Sequence, residues 1–195
     1  MIMKKIYLLS LVFSLFVASC SDILEKVPGT SLPTEEAITS EKDLINAVNG
    51  VYSYQATAVG SYAGEFTLFA DLRGSDFQSI SATNHAGPIY HYQLTKNDGL
   101  VYNFYETFYL SLARLNSVLE ASENITGENV DNLKGELYAL RALYHFDLAR
   151  LFAKNPSPAN LSALGIVLSD KVFETSYIGE RATLQATYDF ILSDL

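Results

Sequence analysis

The sequence predicts an all-α fold of packed helical hairpins interrupted by a long irregular region, and three patterns carry that prediction. Apolar residues recur at i, i+3, i+4 and i+7 over 41–55 and again from about 99 to 122, the period of a helix that buries one face. A third segment, 131–153, carries two narrow polar stripes on opposite sides with apolar residues between them, which describes a helix held between neighbours rather than laid on one surface. Between the first two helices, residues 56–98 keep no helical period of useful length.

The chain begins with the layout of a secretory signal: Lys4 and Lys5, then the apolar run from Ile6 to Ala18, ending in small residues. That run is too short to span a bilayer core of about 30 Å, which takes about 20 helical residues. Val17-Ala18-Ser19-Cys20 resembles the lipobox of bacterial lipoproteins. The resemblance implies cleavage after Ser19, a diacylglyceryl group on the Cys20 thiol and an acyl chain on the new amino group; a plain signal peptide with an unrelated cysteine is the alternative. Cys20 is the only cysteine, so it has no disulfide partner and no thiol companion for a metal. The expected organisation is a signal over 1–19, an extended tether over 20–39 with two prolines and little periodicity, and a helical domain over 40–195.

Within that domain Ser40 is placed as an N-cap with Asp43 three residues on, a variant of the capping box, and Leu44, Ala47, Val48 and Val51 form the buried stripe that follows. Glycines at 60, 64, 74 and 87 and Pro88 break up the next forty residues, leaving room for one short helix near 65–72. Helix restarts at Asn97-Asp98-Gly99; Phe104, Tyr105, Phe108, Leu112, Leu115 and Leu119 are assigned to its buried face, and Asn103, Glu106, Thr107, Arg114 and Ser117 to a wet one. In 131–153, Lys134, Arg141 and His145 make one polar stripe, and Glu136, Asp147 and Arg150 the other. NPSPANLSALG breaks the chain at 155–165, a short apolar IVL stretch follows, and Thr183 opens a last helix with Leu184, Tyr188, Ile191 and Leu195 on one side. The periodic pattern runs to the last residue without a cap, so the partner of that face is expected to lie outside these 195 residues.

The formal charge is −9, and removal of 1–19 takes two lysines and no acid, making the mature chain two units more negative. Nucleic acid and anionic headgroups attract basic patches, so neither is an expected partner. No Ser-His-Asp order, phosphate loop or dinucleotide fingerprint is present. His85 and His91 share the irregular region without acidic or thiol companions at ligand spacing, and His145 is read as a hydrogen-bonded packing residue. No metal or cofactor is expected.

Five pieces occur in a fixed order: the lipobox followed by DILEKVPGTSL, then TSEKDLINAVNGVY, YNFYETFYLSLARLNSVLE, KGELYALRALYHFDLARLF and TLQATYDFILSDL. Together they resemble the N-terminal part of the SusD/RagB family, nutrient-binding outer-membrane lipoproteins of Gram-negative polysaccharide-utilisation systems. The resemblance implies tetratricopeptide-like helix pairs, a lipid anchor on the outer membrane, and a SusC-like TonB-dependent transporter as partner, to which glycans or in some cases peptides are handed. The family pattern has a glycine after an RLF-type ending, where this chain has AKNPSPANLSALGIVL, so that turn is expected to differ. Members run to several hundred residues, which makes this sequence the counterpart of an N-terminal portion.

A glycan site wants flat aromatics for the apolar faces of sugar rings and hydrogen-bonding side chains for their hydroxyls. The irregular region has that composition, with Tyr62, Phe66, Phe77, Tyr90 and Tyr92 outside the helical pattern, beside Asn84, His85 and Gln93. The ligand-contact candidates are Asp71, Arg73, Asp76, Phe77, Asn84, His85, Tyr90 and Tyr92. Asp71 and Asp76 around Arg73 admit two readings, an acid/base pair of the glycosidase kind and an Arg-Asp clamp or sugar-hydroxyl contact. Three functions remain open at this stage: glycan binding with delivery to a transporter and no catalysis, peptide binding or protein scaffolding, and glycan cleavage.

Overall fold

A computed structural model describes residues 37–74, 77–80 and 86–195. The signal over 1–19, Cys20 and most of the tether lie outside the described residues, as do Asp76, Asn84 and His85. The elements are α1 (Glu41–Thr57), α2 (Glu65–Arg73), α3 (Gly87–Tyr90), α4 (Gly99–Ser122), α5 (Val130–Phe152), β1 (Leu164–Val167), β2 (Arg181–Thr183) and α6 (Leu184–Ser193). The chain is mostly helical, in accord with the all-α prediction.

α1 starts where its cap is. The Ser40 hydroxyl accepts from the Asp43 amide at 3.3 Å and donates to the Asp43 carboxylate at 2.7 Å, so two polar groups of the first turn satisfy each other. The hydrogen bond from Ser40 is also what holds the Asp43 carboxyl below the usual range. Leu44, Val48 and Val51 then point inward and meet Phe108, Leu112 and Leu115 of α4 and Leu137, Tyr144 and Leu148 of α5 in one apolar cluster. The long helices α4 and α5 pack along each other, and α1 lies against both.

α5 packs against α1, α4, β1 and α6, but Tyr138, Leu143 and Phe146 on it are exposed, so the enclosure its two stripes predict is incomplete. Arg141, His145 and Asp147 are all buried. The IVL stretch, left without a type by periodicity, is strand: β1 pairs antiparallel with β2, Leu164 opposite Thr183 and Val167 opposite Arg181. This ribbon exists because α6 folds back onto α5. Gly165 marks the contact, since a Cβ there would overlap the Thr187 hydroxyl. Thr183 caps α6 by accepting from the Ala186 amide at 3.1 Å.

The expected wet face of α4 is in part a buried one. Thr107 is buried, together with Ser111 and Asn116, and Asn103 donates to Glu65 at 3.2 Å. At Asn103 and Thr107 the cause is the 58–64 turn, which crosses α4 so closely that a Cβ on Gly60 would stand 2.5 Å from the Asn103 carbonyl; Asn116 is covered instead by the 169–171 loop. Small polar residues fit there because they bond locally: Ser111 accepts from Gln55 at 2.7 Å and donates to the Thr107 carbonyl at 2.7 Å. Tyr105, assigned to the buried face, is instead exposed and packs by its ring edge on Phe152.

Candidate functional site

The irregular region divides into a buried half and an open half. Tyr62 and Phe66, which the sequence sets apart from the helical core, belong to it: their rings meet edge to face at 5.3 Å, and Phe66 packs on Phe104 and Phe108. The Tyr62 hydroxyl donates to Asp147, whose other oxygen accepts from Arg150 Nε at 3.0 Å. A buried carboxylate needs such partners. Burial, then the bond to Asp147, raises the Tyr62 phenol far above its ordinary range. These two rings are therefore partly buried and packed on the core, where they support the neighbouring site.

The open half is built around Arg73. α2 ends there, and the turn after α3 brings Tyr92 across it: the guanidinium sits 4.3 Å from the Tyr92 ring centre and 5.2 Å from Phe69, while the Tyr92 hydroxyl donates to the Arg73 carbonyl at 2.7 Å. Tyr92 has φ 57, the left-handed region, where a bulky residue is uncommon and the surrounding structure must impose it. Its ring is nevertheless largely exposed, as is that of Phe77. Tyr90 is half-buried with its ring edge on His91. Asp71 lies on the exposed side of α2.

Beside Arg73 opens a cleft of about 350 Å³. Phe69, Leu94, Val101 and Phe152 form its apolar walls, and Arg73 and Arg150 supply two guanidiniums. Of the eight sequence candidates, Arg73 and Tyr92 are brought together; Phe77 and Asp71 are exposed, Tyr90 is half-buried against His91, and Asp76, Asn84 and His85 are outside the described residues. The sequence reading missed Phe69, Phe152 and Arg150. Arg150 stood on a stripe with Asp147, a signal that a polar pair ends the sandwiched helix, but only the fold shows that this end faces α2. Among the described residues no group of three His, Cys, Asp or Glu is placed to hold a metal ion. No helix among them is long and apolar enough to cross a membrane.

The same helix carries a second polar knot. Ser169 N–H donates to His145 Nε2 at 3.0 Å, so Nδ1 bears the proton and donates to the Arg141 carbonyl at 2.8 Å. The Ser169 bond needs the neutral ring, because a protonated Nε2 has no lone pair left to accept with. Burial first, and the Arg141 charge, lower the His145 pKa from 6.5 to about 4, against the bond to the Arg141 carbonyl and the pull of Asp194 and Asp170, which raise it. Because the folded value lies below the unfolded one, the unfolded chain binds the proton first. The stabilisation is complete above about pH 6.5 and is lost as the pH falls toward 4, on the order of 3 kcal/mol. Urea unfolding at pH 7 and pH 4.5 should show this loss, and His145→Gln, which does not titrate, should make the difference smaller.

Residues 22–195 match the SusD-like family described as "Starch-binding associating with outer membrane". The chain belongs to the SusD-like family. A SusD-like protein of Formosa agariphila, P38, is 25% identical over 205 residues, covering 99% of this chain and 37% of that protein. Among solved structures, a Bacteroides vulgatus protein superposes with a TM-score of 0.73 at 24% identity over 81% of this chain and 36% of its own. A SusD superfamily protein, also from Bacteroides vulgatus, gives 0.68 at 26% identity over 80% and 36%. The chain thus spans little more than a third of the length of these relatives.

Proposed function

We propose that this SusD-like chain is part of a lipid-anchored, surface-exposed protein that binds glycans without cleaving them and passes them to a TonB-dependent outer-membrane transporter. The observation that carries the reading is the match over 22–195 to a family described by starch binding and outer-membrane association. Two features support it. The exposed Tyr92 and Phe77 rings offer flat apolar faces to sugar C–H groups, and Arg73, stacked on Tyr92, has donors left for hydroxyls. The signal-like run, Cys20 and the proline-containing 20–39 stretch have the composition a lipid anchor with a tether would use.

Affinity electrophoresis of the purified full chain against a panel of neutral soluble polysaccharides tests the reading, with chain-length analysis of each polysaccharide afterwards. Retardation by at least one polysaccharide that keeps its length is the expected result. Shortened products would make the protein an enzyme, and retention by peptides alone would move it to the peptide-binding class.

A further inference from the structure

The other end of α4 holds a second cavity, about 320 Å³, between its last turns, the first half of α5 and the 170–172 loop. Its floor is rigid. Asn116, buried on α4, donates to the Ser169 carbonyl at 2.9 Å and the Lys171 carbonyl at 3.1 Å, and accepts from Arg141 at 3.2 Å. Those bonds fix the loop as a wall and leave Asn116 fully occupied.

The rim is the reverse. The charged ends of Lys134, Glu120 and Glu123 line the cavity and make no hydrogen bond or ion pair with another described residue. Lys171 also lines it, its ammonium 5.7 Å from the Phe173 ring. Across the space Lys134 and Lys171 face Glu120, Glu123 and Asp170, while Arg141, which also lines it, is paired with Asp194. Tyr138 forms an aromatic side wall, exposed to 40%. Phe173, next in the chain to the lining residue Val172, stacks flat on Tyr177 at 4.1 Å and 7°.

We propose that this cavity is a second glycan subsite, selective for a neutral oligosaccharide. The proposal rests on the glycan reading above and adds a location and a ligand class to it. A sugar hydroxyl both donates and accepts, so alternating ammonium and carboxylate groups satisfy it from both sides. An acidic polysaccharide would meet Glu120, Glu123 and Asp170, and a like-charge contact costs binding. The volume is near the lower end of small-molecule sites, about 300 to 1,000 Å³, room for one or two sugar rings with Tyr138 against a ring face. From Phe104 beside the Arg73 cleft to Leu119 here is fifteen residues of α4, about 22 Å at 1.5 Å per residue, so the two sites are separate. Two sites on one protein would let a polysaccharide bind more tightly than its fragments.

Calorimetric titration of the full chain in detergent with maltohexaose, cellohexaose, xylohexaose and mannohexaose tests this, with hexagalacturonate and trialanine as charged comparators. One neutral hexasaccharide should bind at two equivalents, and Lys134→Ala combined with Tyr138→Ala should leave one, whose wild-type affinity shows that the fold is intact. Glu123→Gln, which keeps the shape of the rim, should weaken the same equivalent. If the double variant binds two equivalents, the cavity is no subsite, although the glycan reading stands. If hexagalacturonate or trialanine takes the Lys134-dependent equivalent, the ligand class is wrong. If no neutral hexasaccharide binds the wild-type chain, the subsite and the glycan reading fall together.

Discussion

Asp194→Ala should cost about 3 to 5 kcal/mol of stability, the range for removing one partner of a buried ion pair. The Arg141 guanidinium is bonded at both edges of its fork to the Asp194 carboxylate, Nε at 2.7 Å and Nη2 at 2.6 Å, and the two side chains are 11% and 5% exposed. Its remaining nitrogen donates to Asn116 and to the Asp170 carbonyl at 2.9 Å. One cation therefore ties together α4, α5, the loop after β1 and the end of α6. Without Asp194 it stays buried with only neutral acceptors. Replacing both partners, Arg141→Met with Asp194→Ala, removes the stranded charge along with its counter-charge and should cost less than the sum of the single changes. Chemical unfolding of the three variants measures this, and additive losses would mean that the pair does not act as a unit.

Cys20→Ala should move the protein from the membrane fraction to the soluble one. With about 0.8 kcal/mol for each buried CH₂, two or more acyl chains would hold a protein on its bilayer, and the variant offers no thiol to carry one of them. The chain is acidic, with a formal charge of −9, which disfavours attraction to anionic headgroups. Detergent-phase partitioning of wild type and variant reads the outcome directly. A variant that stays in the membrane fraction would mean that the N-terminal run is retained or that another surface makes the attachment.

The long elements were legible because their signals are local and repeated. Ser40 with Asp43 marks the start of α1 and Thr183 the start of α6, and the two polar stripes of α5 point to neighbours on more than one side, although Leu143 and Phe146 stay exposed. What was not legible depends on contacts distant in the chain. Thr107 has the polarity of a surface residue and is buried only because the 58–64 turn crosses it. α3 is four residues long, too short for a period, and β1 finds its type only through pairing with β2. In the site, Arg73 and Tyr92 were found by composition, but Arg150 and Phe152 reach the cleft from α5, more than fifty residues away in sequence, and no window of sequence joins them.

The account depends most on the Arg73–Tyr92 face binding sugar, and affinity electrophoresis of Tyr92→Asn beside wild type tests it most directly. Asn tolerates the positive φ, so the turn survives while the ring is lost. A stacked aromatic contact is worth about 0.5 to 1.5 kcal/mol, so the polysaccharide that retards the wild type should need roughly twofold to thirteenfold higher concentration to retard the variant equally. Equal retardation of wild type and variant would contradict the account.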